Sequence, residues 1–200
     1  MKTLFYMAAG LLLSGWNNSN CFALDYSTLI PHTASSIPEL IASGFALTSS
    51  AEGVIFPDNT IGRVLIIKNM QQDNTQECVD TDRYIVILRN QKENYQLFMT
   101  SDMLPCSRDG GIAGGVQVNI KNGVISISVF TGSRELTTEV FRYRYESPTD
   151  KFRLIGYDTS ERDRALGKTI SSFSINYLTN IQIRNGKQSP NNDRIKHYLQ

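Results

Sequence analysis

Catalysis needs side chains that attack, donate or accept, and this chain is sparing with them. Its 200 residues include two histidines, His32 and His197, and three cysteines, Cys21, Cys78 and Cys106. Neither histidine stands in a His-Glu-x-x-His or other metal-ligand spacing. No Gly-x-Ser-x-Gly elbow presents a serine nucleophile. A cysteine nucleophile needs a free thiolate, whereas Cys78 and Cys106 are expected to be oxidised together. Acidic residues gather at Asp80 and Asp82, and again at Asp158, Glu161 and Asp163. Glycoside hydrolysis uses two carboxylates, but the polar, turn-like settings of these groups read as solvated loops. The sequence therefore assigns no catalytic residue, no cofactor and no metal ligand.

One constellation suits binding. Arg142 and Arg144 alternate with Phe141, Tyr143 and Tyr145, so in a strand the arginines occupy one face and the aromatic rings the other. The turn Ser147-Pro148-Thr149-Asp150 sets Glu146 opposite Lys151, Tyr145 opposite Phe152 and Tyr143 opposite Leu154. Arg153 then joins the arginine face, with Arg134 near it. Guanidinium forks match carboxylates and phosphates. The face reads either as a solvated one, partly neutralised by Glu135 and Glu139, or as a site for an acidic protein partner or an anionic envelope component. The rings of Phe141, Tyr143, Tyr145 and Phe152 resemble a sugar-stacking strip, but alternation turns them inward to the core.

The elements that position these residues are strands. In residues 83–91, Tyr84, Val86 and Leu88 point one way and Ile85 and Ile87 the other. Both faces are apolar, which marks a central strand covered on both sides. A polar turn at 90–94 leads into a second apolar strand, and Cys78 and Cys106 flank the hairpin. A bridge between them places Val86 opposite Phe98, Ile87 opposite Leu97 and Ile85 opposite Met99. It closes a loop of roughly 30 residues, which stabilises by about 3–4 kcal/mol in the chain-entropy picture. The Asn122-Gly123 pair is a two-residue hairpin turn. It pairs Ile120 with Ile125, Val118 with Ile127 and Val116 with Val129 on one face. Asn119 with Ser126 and Gln117 with Ser128 fall on the other. Further strands are expected at 45–54, 64–67 and 172–177. The stretch 158–168 reads as an exposed connection, and residues 181–183 and 195–199 are expected either to form a last hairpin turning at 189–192 or to leave a frayed tail. A short helix runs from Ser36 through Pro38 to Gly44. The expected fold is all-β: a mostly antiparallel meander of about eight to ten short strands with that one N-terminal helix.

The first 23 residues read as a cleaved secretory signal, leaving a single domain at 24–200. Lys2 supplies the positive start, residues 4–16 the apolar stretch, and Cys21-Phe22-Ala23 the small residues before the cut. Asn18-Ser19-Asn20 ahead of Cys21 does not suit lipidation. The mature chain carries 19 basic and 19 acidic residues, so it has no general attraction for nucleic acid. No later segment is expected to span a membrane. The compartment is bacterial periplasm or beyond, where a single pair of cysteines forms a disulfide.

Residues 106–179 resemble a group of exported bacterial β-rich proteins of unknown function. The likeness rests on the Cys106 to Gly115 loop, Gly132-Ser133, Phe141-Arg142-Tyr143, Leu154-Ile155-Gly156 and Ser174-Ile175-Asn176-Tyr177-Leu178-Thr179. It implies export and a β-rich fold, and brings no activity with it. Such proteins often carry an Asp-x-Asn-x-Asp-Gly stretch able to hold calcium. Here the comparable residues are Asp58-Asn59-Thr60-Ile61-Gly62-Arg63. Calcium takes about six or more oxygen ligands, and most of those carboxylates are missing. The leading expectation is a non-catalytic binding domain of the cell envelope. One version is an immunity or inhibitor protein against an envelope-targeted toxin or hydrolase. The alternative is a hydrolase whose site assembles only in the fold.

Overall fold

The structure, a computed structural model, describes residues 25–70, 82–102, 104, 115–192 and 197–199. The expected signal segment, Cys78, Cys106, Asp80 and the glycine pairs at 110–111 and 114–115 lie wholly or partly outside these, and the expected disulfide lies outside them entirely.

The fold is all-β, built as two antiparallel sheets. The first five strands are β1 (Thr33–Ala34), β2 (Phe45–Val54), β3 (Ile61–Asn69), β4 (Arg83–Gln91) and β5 (Asn94–Ser101). They form one sheet in the order β1-β5-β4-β3-β2. The remaining seven are β6 (Gly115–Lys121), β7 (Val124–Gly132), β8 (Glu135–Glu146), β9 (Lys151–Asp163), β10 (Lys168–Asn176), β11 (Ile181–Arg184) and β12 (Lys187–Pro190). These form a meander in which each strand pairs with its chain neighbours.

Strand β4 is the centre of the first sheet, and its two apolar faces serve two cores. Ile85 and Ile87 join Val64, Ile66, Ile125, Ile127, Val129, Tyr143 and Phe152 between the sheets. Tyr84, Val86 and Leu88 meet Tyr26, Ile30, Ala34 and Leu40 from the chain's lead-in. The lead-in is therefore a third layer on the outer face of the first sheet. Tyr26 anchors it. Its hydroxyl donates to the Leu40 carbonyl at 3.1 Å and accepts from the Ala42 amide at 3.0 Å. Its ring stacks on Tyr84 at 5.2 Å.

Four expectations are corrected. The helix at 36–44 is a single 3-10 turn at Ile37–Leu40, preceded by another at Tyr26–Leu29. Ser36 makes no side-chain cap to the backbone, and strand β2 already begins at Phe45. The β4–β5 hairpin turns on Lys92 and Glu93, with Lys92 in the left-handed region at φ 51°. That tight turn and a bulge next to Leu88 shift the register, so Ile87 faces Met99 and Val86 faces Thr100. A shift of register moves side chains between faces. Residues 158–168 are not a loop. Strand β9 runs on to Asp163, and β10 starts at Lys168. The last hairpin turns on Asn185 and Gly186, both at positive φ, and Tyr198 bridges to Arg153.

The β6–β7 pairing matches the expectation at every residue, from Val116↔Val129 to Ile120↔Ile125. So does the start of β8–β9, with Tyr143↔Leu154, Tyr145↔Phe152 and Glu146↔Lys151. The far end of the second sheet extends past the first. The opening five residues of β10 and all of β12 are exposed.

Candidate functional site

Alternation places Arg142 and Arg144 on the outer face of β8, with the aromatic residues inward. Tyr143 and Phe152 are buried, and Phe141 and Tyr145 pack against the same core. This is the core placement that the sequence favoured over a sugar strip. Arg144 lies directly opposite Arg153. Like charges in that position repel, so acids must lie close by.

They do, on the neighbouring strands. Arg142 pairs with Asp158 at 2.5 Å, and Asp158 also accepts from the Ser174 hydroxyl at 2.6 Å. Arg153 lies 3.6 Å from Glu146, which accepts from the Tyr198 hydroxyl at 2.5 Å. The Arg153 Nε is buried without a hydrogen-bond partner among the described residues. Arg144 is exposed and carries no ion pair among the described residues. The face is thus a nearly balanced lattice with one uncompensated guanidinium. Glu139, expected as a neutraliser, instead accepts from the Tyr157 hydroxyl at 2.5 Å. Burial and that contact push the Tyr157 phenol up to about 12.

Arg134 does not join the cluster. It precedes β8, ten residues before Arg144, which is roughly 33 Å along a strand at about 3.3 Å per residue. Its partner is Asp163 at 3.4 Å.

The other chemical candidates disperse. His32 lies beside β5, where its carbonyl accepts from the Leu97 amide at 2.8 Å. His197 lies beside β9 in the other sheet, with its ring 5.7 Å from Tyr177. Asp82 is buried near Lys68 and Arg83. Asp158 and Glu161 are three residues apart in one strand and so face opposite ways. Asp163 accepts from the Ala165 and Leu166 amides at 2.8 and 3.0 Å, closing the β9–β10 turn. Asp58, in the would-be calcium stretch, binds the Thr60 amide at 3.1 Å and lies 3.5 Å from Arg89. Thr60's hydroxyl and amide, with Arg89 adding, hold the Asp58 carboxyl below its usual range. Among the described residues, no three His, Cys, Asp or Glu side chains converge on a metal position.

Two of the cavities among the described residues lie along β5, and neither is announced by the sequence. One, of about 480 Å³, lies between the lead-in and β5 and is lined by Asp25, Ser27, His32, Thr100 and Asp102. The other, of about 440 Å³, is lined by Phe98, Met99, Thr100, Asp150, Lys151 and Leu199. No periodicity in the sequence announces them, because the lead-in and the tail that wall them pair only briefly with the sheets.

No family model, curated protein or solved structure matches the chain.

Proposed function

We propose that this chain is an exported, non-catalytic binding domain of the bacterial cell envelope. It meets an acidic protein or an anionic envelope component on the outer face of β8 and β9. The observation that carries the reading is Arg144, an exposed cation held in a strand whose flanking arginines are already paired. A cation fixed on a sheet loses less freedom on binding than one on a loop. The polar face around it continues across Ser172 and Ser174 onto the exposed end of the sheet, giving a partner a broad, shallow platform. The signal segment and the likeness of residues 106–179 to exported β-rich proteins fit this compartment. An immunity or inhibitor protein is the same reading with a toxin or hydrolase as the partner. A hydrolase is less favoured, because the histidines lie beside different sheets and Asp58, Asp82, Asp158 and Asp163 hold turns or lie beside basic side chains.

The test is capture of partners by the tagged chain 24–200 from its own envelope extract, at low and moderate salt, beside Arg144→Glu. One stoichiometric partner that is lost with Arg144→Glu is expected. A partner that survives the charge reversal would overturn the site. No partner at either salt would overturn the binding role.

A further inference from the structure

Strand β1 covers only part of β5. It pairs Thr33 with Gln96 and Ala34 with Tyr95, and the His32 carbonyl adds a bond from the Leu97 amide. Beyond that point no described residue pairs with the outer side of Phe98, Met99 and Thr100. An open edge usually carries a lysine, a proline or a cover to discourage strand addition. These three residues include neither lysine nor proline. The register shift against β4 falls beside them, and bulges recur where a sheet edge is put to use.

The two cavities lie along this same edge. Phe98, Met99 and Thr100 line both, one on the lead-in side and one on the side of the β8–β9 turn and Leu199. An added strand points successive side chains to opposite faces. Its alternate residues would therefore enter the two cavities in turn, as in recognition by strand addition, where backbone bonds give affinity and alternate pockets give selectivity. The cavity on the lead-in side carries the carboxylates of Asp25 and Asp102 and, among the described residues, no lysine or arginine. The other sets Lys151 beside Asp150 and has the apolar Leu199 in its wall.

We propose that the β5 edge at Phe98, Met99 and Thr100 takes up an extended segment of a partner protein as a strand in line with β1. A lysine or arginine of that segment enters the cavity between Asp25 and Asp102, and its neighbours carry apolar or small side chains toward Leu199. This surface lies on the first sheet and is separate from the Arg144 face on the second.

The experiment measures binding of blocked hexapeptides that alternate lysine with valine, threonine or tyrosine to the chain 24–200, by amide chemical shifts and fluorescence anisotropy. Saturable binding is expected, with slowed exchange of the Met99 or Thr100 amide. Asp102→Lys is expected to weaken it by about tenfold or more, since it replaces attraction with repulsion at the cavity mouth. Peptides N-methylated at alternate residues, in one of the two phases, should fail to bind because they lack the ladder donors. Arg144→Glu should leave the peptide affinity unchanged, which separates this surface from the one proposed above. The inference is overturned if no peptide of the set binds. It is equally overturned if glutamate peptides bind as well as lysine ones, or if both N-methylated phases bind like the parent.

Discussion

Removing the side chain of Leu199 should cost this fold far more than its place at the chain's end suggests. Strand β9 is paired by β8 along its length, but β10 reaches only to Gly156, opposite Asn176. The tail supplies the missing neighbour for the first residues of β9. The Leu154 amide donates to the His197 carbonyl at 2.7 Å, and the Leu199 amide donates to the Phe152 carbonyl at 2.9 Å. The Leu199 side chain is 1% exposed and belongs to the core between the sheets. Burying a leucine is worth about 1.5–3 kcal/mol in transfer terms. Leucine-to-alanine changes in cores cost about 2–5 kcal/mol once the cavity is included. A site at a chain end collapses more readily than one in a strand, so Leu199→Ala should lie near the low end, about 2–3 kcal/mol. Deleting residues 197–200 removes the two backbone bonds and the Tyr198 contact as well. It also releases the tail's ordering cost of about 1–2 kcal/mol per residue, so the deletion should come out close to the point variant. The assay is equilibrium urea unfolding followed by fluorescence, with a parallel fall in Tm of roughly 2–4 °C per kcal/mol. A Leu199→Ala loss below about 0.5 kcal/mol, the range of surface substitutions, would refute the argument that the tail completes β9.

Two further outcomes follow from packing and burial. A Cβ added at Gly62 would lie 2.4 and 2.5 Å from Ile55 side-chain carbons and 3.0 Å from the Phe56 ring. Gly62→Ala should therefore destabilise by about 1–3 kcal/mol, as overpacking does, read as a lower urea midpoint with an unchanged slope. Burial, with the Tyr177 phenol nearby, pushes the Tyr143 phenol up to about 12. An unfolded tyrosine titrates near about 10, so the folded state holds this proton more tightly. The contribution is fully present below about pH 10 and falls by about 1.4 kcal/mol per pH unit as the pH rises toward about 12. Urea unfolding at several alkaline pH values should show a shallower decline in Tyr143→Phe than in the parent; equal slopes would count against it.

Where the sequence carried local, self-checking signals, it was read correctly. Asn122-Gly123 fixed the β6–β7 register because apolar residues met apolar and polar met polar on the two faces. The doubly apolar run of β4 announced a central strand, and each of its faces proved to serve its own core. The Lys92-Glu93 turn has no glycine, so the pattern alone left its centre open by one residue, and a bulge beside Leu88 added another step. Asn185-Gly186 carries the same pair as Asn122-Gly123, yet the turn was placed on the proline nearby. Charge density misled at 158–168. Asp158, Glu161 and Asp163 read as a solvated loop, but the sheet there has left the core, so a strand can carry charge on both faces.

That misreading also explains how much of the arginine face was legible. Alternation along β8 needs only the sequence, and it put Arg142, Arg144 and Arg153 together on one side. Their counter-charges depend on the register of the next strand. With β9 ended early, Asp158 could not be placed beside Arg142. With the tail left out, Tyr198 could not be placed on Glu146. Once both are included, Arg142 and Arg153 become fixed parts of the sheet, and the question of binding contracts to Arg144. The β5 edge follows the same logic in reverse. Whether a strand has a free side depends on where its neighbour begins and ends, and β1, antiparallel to β5, begins only at Thr33, because the lead-in before it turns at Tyr26–Leu29 and packs on Tyr84 and Leu88. A strand's own residues announce its two faces, while its edges are set by the length of its partners, which is why neither the β5 edge nor the isolation of Arg144 is written in the strand that carries it.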